Sequence, residues 1–502
     1  MIDLLLVGVF LAAAVALGAR ARRGRGDLAD YVLASRALTL PQFVATLVPT
    51  FYGGVLGIGE FTWTAGLSNW TVMALPYYAF AAVYALWLAE RVRLEPGLTI
   101  ADHLDNAYGR RAALLGAGLV FLLAAPADEM LMAGTLLAHL SGMKLALATG
   151  LAGAAALAAI WRGGLRGDVA SNRLQIVVMF AGFALVLPYA VRAIGGPAAL
   201  AAKLPPGHLS WTGGMSAWKI LGWWLIAVWT IVDPAFHQRC AAAQSPAVAR
   251  RGILISIGFW AVFDLMTTTA GLYARAALPA LDHATLAFPR LAEATMPVFA
   301  RGLFFAGISA SIFAALQAKS LLAAVSLGRD FASRLKPADA DAVQRRVRAA
   351  LVIAAAFSFA LALLVPSVVD LWYAVGSAVI PGLLLPMLGV YLPRLRIAGR
   401  WAAAASLSGF LASLAWVVAA RRLGAPPLGL EPPFPGLAVS ALIWTAGLAL
   451  GSPPQAPTAA AQQAPMSTPQ HRSKPTPASR ARTSSRRGTG SRPRRAEGST
   501  RK

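Results

Sequence analysis

The chain has 502 residues, 57% of them hydrophobic and only 13% charged, with a mean hydropathy of +0.61. A soluble domain carries roughly 25% charged residues, so these totals exclude an ordinary soluble domain and describe an all-α polytopic membrane protein whose length is spent on spans. The net charge of +24 is uneven: eleven Lys and Arg lie after Gly451 against Glu497 alone, and most of the rest fall in short loops.

The first apolar run, 2–19, has only Asp3 before it, whereas Arg20, Arg22, Arg23 and Arg25 follow. A signal peptide carries its basic residues in front. The run is therefore read as a retained span with its N-terminus outside. Further runs follow at 40–64, 69–90, 113–140, 144–161, 173–194, 216–236, 252–275, 298–326, 347–365, 371–391, 401–420 and 436–451, making about thirteen spans. Basic residues alternate with them. Arg91 to Arg111, Arg162 to Arg173, Arg239 to Arg251, Arg329 to Arg348 and Arg394 to Arg400 fall in every second connection, while the others are poor in Lys and Arg except for Arg421-Arg422. That pattern places the C-terminus inside and the chain in the cytoplasmic membrane.

The second run and its flank, Leu40 to Trp70, carry Pro49, Gly53, Gly54, Gly57 and Gly59. Proline removes a backbone hydrogen bond and glycine weakens its neighbours. Bare carbonyls at membrane depth survive only against protein or a wet cavity, and transporters break helices there to hold substrate and ions. One reading is a broken transporter helix with Gly53, Gly54, Gly57 and Glu60 near the substrate. The other is a helix made glycine-rich for close packing. Further along, Asp128 and Glu129 lie mid-span in LLAAPADEMLMAG, where two adjacent acids are costly to keep. Lys319 is a second intramembrane charge, with Asp264 and Lys219 read as nearer span ends. Trp223, Trp224 and Trp229 are deep enough to offer faces to a sugar or an organic cation, although Trp more often marks the interface.

Cys240 is the single cysteine, so no internal disulfide forms; its neighbours His237 and Arg239 point to a loop rather than a site. The segment 452–502 is rich in Pro, Ser, Thr, Ala, Gln and Arg and lacks apolar periodicity. It reads as a disordered basic cytoplasmic tail appended to a transmembrane domain at 1–451. No aromatic residue interleaves its arginines, so anionic lipid is the favoured partner and nucleic acid is disfavoured. No Walker loop, His-Glu-x-x-His or Gly-x-Ser-x-Gly motif is present, and no cofactor or enzymatic activity is expected.

Several segments resemble the sodium:solute symporter family: GIGEFTWTAG (57–66), LTIADHLDNAYGRR (98–111), IWRGGLRG (160–167), PAFHQRCAAAQSPAVARRG (234–252), FFAGISASIFAALQAKSLLAAVSLGRDF (304–331) and VVDLWYAVGSAVIPGLLLPMLGVY (368–391). The resemblance runs from about residue 27 to 420. It implies a five-plus-five inverted repeat of the leucine-transporter type, with broken first and sixth core helices. It also implies sodium as coupling ion and a small-molecule solute held between the first, third, sixth, eighth and tenth core helices. By the same resemblance, sodium would meet the Leu47 and Thr50 carbonyls and a hydroxyl pair on the eighth core helix. Here that pair is Ala314-Ala315, with Ser311 one turn earlier. The family's Asp in a Thr-Asp-x-x-Gln pattern is Asn172. The positions of sugar ligands fall on Gly53 and Gly54, which disfavours a sugar.

The sequence thus reads as an alternating-access secondary transporter, coupled to a cation through an altered or lost sodium site. Asp128, Glu129, Lys319 and Asn172 are the coupling candidates. The alternatives are proton-coupled or uncoupled transport using Asp128 or Glu129, and a sensor or scaffold on the same fold.

Overall fold

A computed structural model describes residues 2–21 and 28–450; the basic segment expected after Gly451 lies outside them, as do Arg22, Arg23 and Arg25. Among the described residues, twelve helices are long and apolar enough to cross a membrane, and Leu145–Ile160 is apolar but shorter. Together they match the expected thirteen.

A flanking helix, Ile2–Arg20, comes first. Its Asp3 pairs with Arg301 at 2.6 Å, which sets it beside the eighth core helix. Ten core helices follow: the first Leu40–Ala65, second Trp70–Leu94, third Arg110–Ser141, fourth Leu145–Ile160, fifth Gly164–Ile194, sixth Ala217–Ala242, seventh Pro246–Ala277, eighth Val298–Leu335, ninth Ala340–Leu364 and tenth Val368–Tyr391. Gly399–Leu423 and Pro433–Leu450 complete the bundle. The fold is the five-plus-five arrangement, and each group of five opens with an interrupted helix.

The interruptions have local causes. The first core helix starts cleanly because the Thr39 N–H donates to Gln42 Oε1 at 3.0 Å. It runs through Pro49, tightens to a 3₁₀ turn at Tyr52–Gly54, and resumes as Val55–Ala65. The break thus falls at the middle of the helix, three residues past the proline that weakens it. Glycine lets neighbours into this turn. A Cβ on Gly53 would sit 1.9 Å from the Ala315 Cβ, and one on Gly54 2.2 Å from Trp372 Cζ2. The helix is therefore interrupted here, and its glycines also serve close packing.

In the sixth core helix, Asp233 ends one half and caps the next, accepting from the Ala235 N–H at 2.6 Å and the Phe236 N–H at 3.1 Å. Pro234 follows at the first helical position, where its missing N–H costs nothing. The third core helix also breaks, at Ala125-Pro126, and restarts at Ala127. This puts Asp128 and Glu129 in the first turn of the new half, where the helix dipole favours carboxylates. Cys240, expected in a loop, is instead buried in the second half of the sixth core helix with His237 and Arg239. The Asp-Pro cap restarts the helix and carries all three inward.

Gly53→Ala is expected to lower the unfolding temperature of the purified protein by the equivalent of about 1–3 kcal/mol of overpacking. Ala315→Gly in the same chain should recover part of that loss, and a double mutant no better than Gly53→Ala would remove this contact from the account.

Candidate functional site

The two main breaks face each other across a cavity of about 140 Å³. Leu47, Thr50, Tyr52, Gly54 and Ile58 of the first core helix line one side, and Trp229, Thr230 and Asp233 of the sixth line the other. The third, eighth and tenth contribute Asp128, Glu129, Lys319 and Trp372, and the seventh adds Asp264.

At its centre, Lys319 Nζ lies 3.0 Å from Asp128 Oδ2 and 2.6 Å from Glu129 Oε1. The Trp372 indole N–H donates to Asp128 Oδ2 at 2.7 Å, and the ammonium stands 6.0 Å from the Trp229 ring centroid. Glu129 Oε2 is buried without a hydrogen-bond partner among the described residues. Asp233 completes the wall, taking the Trp229 indole N–H at 2.9 Å. The lining therefore holds four carboxyl groups, Asp128, Glu129, Asp233 and Asp264, against one ammonium. An apolar interior disfavours that imbalance unless cations or protons enter.

Several expected positions lie elsewhere. Of the glycines only Gly54 lines the cavity. A Cβ on Gly53 or Gly57 would strike Ala315 or Trp372, so these two serve packing. Glu60 does not line the cavity, and it accepts from Thr285 Oγ1 at 3.0 Å and Ser367 Oγ at 2.9 Å. Among the three tryptophans only Trp229 reaches the cavity. Trp223 packs on Phe61 and Tyr373, and the Trp224 N–H donates to the Thr71 carbonyl at 3.0 Å; both sit on other faces of the half-helix. Asp264, expected near a span end, is buried in the interior of the seventh core helix.

The expected sodium positions lie on the first and eighth core helices. Ala314 and Ala315 are fully buried and offer only methyl groups. Ser311 Oγ donates to the Tyr52 carbonyl at 2.5 Å. Below Thr50, the fully buried Arg239 donates through Nη2 to Thr50 Oγ1 at 3.1 Å and to Asp168 Oδ2 at 2.9 Å. Asn172 donates to Thr46 Oγ1 at 2.7 Å, beside the same Asp168.

A second charged cluster ties a connecting helix to the eighth core helix. Asp102, on the connecting helix Ile100–Tyr108, meets Arg329 at 2.9 Å and also Arg334. Burial alone would raise the Asp102 carboxyl, but Arg329 and then Arg334 outweigh it and hold it down at about 2 against its usual 3.8.

Residues 31–409 match the sodium:solute symporter family. The chain belongs to that family. It is 25% identical over 473 residues to the sodium/pantothenate symporter of Escherichia coli K12, covering 88% of this chain and 95% of that one. It is 23% identical over 401 residues to sodium/glucose cotransporter 4 of Danio rerio, covering 67% of this chain and 58% of that one. Its fold is similar to a substrate-bound, outward-open Na⁺-coupled sialic acid symporter, with a TM-score of 0.74 at 15% identity over 90% of this chain and 98% of that one. A nucleobase-cation-symport-1 family transporter in a closed conformation follows, with a TM-score of 0.54 at 14% identity over 84% and 94% of the two chains. As a sodium:solute symporter family member, the protein is an integral membrane solute transporter and not an enzyme.

Sequence reasoning missed Asp233, Arg239, Asp168 and Trp372. The Asp233-Pro234 pair was the readable signal, since Asp before Pro marks a helix start. Arg239 and Asp168 lie far apart in sequence and meet only in the folded bundle.

Lys319→Met is expected to destabilise the protein by about 3–5 kcal/mol, because it leaves two buried acids without their cation. Asp128→Asn added to it should restore part of the unfolding temperature. Because the folded Asp102 value is depressed, its contribution is full above its usual 3.8 and is lost as pH falls through about 2. Acid unfolding of Asp102→Asn should lack that step.

Proposed function

We propose that the protein moves a small polar solute by alternating access through the cavity at the two helix breaks, coupled to a cation whose ordinary sodium site is altered. The observation that carries this reading is the placement of one ammonium and four carboxyl groups around a cavity between the interrupted first and sixth core helices. Gly54, Asp128, Glu129 and Trp229 contact the solute in this reading. Lys319 stands in the electrostatic place of a bound cation. Loss of oxygen at Ala314 and Ala315, with Ser311 already spent on Tyr52, supports the altered sodium site. Leu47 and Thr50 keep only their part of it.

Proton coupling through the acid pair is the favoured form, because Glu129 Oε2 is a bare oxygen on a charged cluster. The protein sits with its N-terminus outside and its basic C-terminal segment on anionic lipid of the cytoplasmic face.

The test is uptake into proteoliposomes holding the full-length chain, with labelled pantothenate, sialic acid and glucose as probes and with sodium and pH gradients imposed separately. Accumulation of a probe should follow the pH gradient and change little with sodium. Accumulation driven by sodium and indifferent to pH would overturn the altered site. Probe binding without flux would overturn transport and favour a sensor.

A further inference from the structure

Asp264 differs from the other cavity carboxyl groups. Asp128 and Glu129 share Lys319, and Asp233 caps a helix N-terminus. Asp264 has neither. It lies 3% exposed in the interior of the seventh core helix, with the Tyr52 hydroxyl donating to one oxygen and the Tyr78 hydroxyl to the other. No ion pair reaches it among the described residues.

Charges on the elements packed around it are committed elsewhere. Glu60 of the first core helix bonds Thr285 and Ser367. Glu90 of the second pairs with Arg250, and Asp168 of the fifth pairs with Arg239 of the sixth. His237 of the sixth faces the Asp233 carbonyl, and Glu293, between the seventh and eighth, pairs with His139 and Arg290. Tyr77, Tyr78 and Tyr52 are the titratable groups left on the near faces of the first and second core helices, and all are neutral phenols.

A carboxylate taken out of water needs a cation or charge-matched donors, and two phenols leave about half of its roughly four lone-pair sites unmet. We propose that Asp264 is a proton-binding site. One proton passes from a hydronium ion in the cavity water to an Asp264 oxygen: an O–H bond of hydronium breaks to leave water, and the carboxylate becomes a neutral carboxyl. The same O–H bond later breaks and returns the proton to water.

The site is placed to matter. Tyr52 opens the 3₁₀ turn that interrupts the first core helix, and its carbonyl takes the Ser311 hydroxyl. An ionised Asp264 accepts from both phenols at once. A protonated Asp264 donates its own hydrogen to one phenol oxygen, and that phenol must turn its hydrogen elsewhere. Proton occupancy and the seating of the break are thereby linked, and the linkage works in both directions. The inference deepens the transport reading by naming a second coupling centre, and its test does not use flux.

Infrared difference spectra of the full-length protein in lipid, recorded between alkaline and acid buffer at fixed sodium, should contain the carbonyl stretch of a carboxylic acid that vanishes in Asp264→Asn. Components from the acid pair should survive there and vanish in Asp128→Asn and Glu129→Gln, so the two centres are read separately. Tyr52→Phe, which keeps the ring and removes one donor to the ionised form, should tighten proton binding on the order of tenfold. Should Asp264→Asn fail to fold, the Tyr52→Phe and Tyr78→Phe midpoints decide alone. A titrating spectrum identical in Asp264→Asn, or midpoints unmoved in both phenylalanine variants, overturns the proposal. So does a sodium-induced carboxylate shift at fixed pH that is lost in Asp264→Asn, which would make the residue a sodium ligand.

Discussion

The ion cluster of Lys319 with Asp128 and Glu129 is the constraint on which the centre of the molecule depends. It joins the third and eighth core helices at a depth where an unpaired charge costs several kcal/mol. The Ala125-Pro126 break turns the two acids into the cavity at the start of a half-helix, and the Trp372 indole fixes Asp128 from the tenth core helix. Three helices are thus held around one small volume by groups that meet only in this arrangement. Removing one partner breaks the set.

Helix breaks and buried charges here explain each other. Each interruption exposes peptide groups that a lipid-facing helix could not carry, and each has a polar group beside it: Ser311 at Tyr52, Asp233 at the sixth break, and the acid pair at the third. The eighth core helix approaches the first so closely that Gly53 faces Ala315 without room for a methyl group. Small residues there allow this close contact. Arg239, locked between Asp168 and Thr50, places a permanent cation under the same half-helix.

Much of the fold was legible because its signals are local. Apolar runs gave thirteen spans, and Pro49 with the glycines marked the first break to within a few residues. Span ends were read short where amphipathic turns extend the helices, as at Pro246–Ala277. The site was legible only in part. Asp128, Glu129 and Lys319 each announce themselves as charges in apolar runs, but 190 residues separate them and no local pattern reports their contact. Trp223, Trp224 and Trp229 look alike in a linear reading. Helical periodicity turns only the last towards the cavity, and the break at Asp233 fixes where that half-helix ends. Asp264 was misplaced because its phenolic partners come from two other helices.

The central claim is that this cavity opens to each side of the membrane in turn. Its most direct measurement is thiol accessibility, since the native Cys240 is buried and can be replaced by serine. In that background, single cysteines at Leu47 and Ile58, on opposite halves of the broken helix, would be exposed to a membrane-impermeant maleimide from either face of sealed vesicles. Because both positions line the cavity, the account predicts that each cysteine reacts from either face, and that a transported solute lowers both rates. Reaction of both from one and the same face alone would describe a cavity that never changes sides, and no reaction from either face would leave no solute path at all; either result contradicts the account.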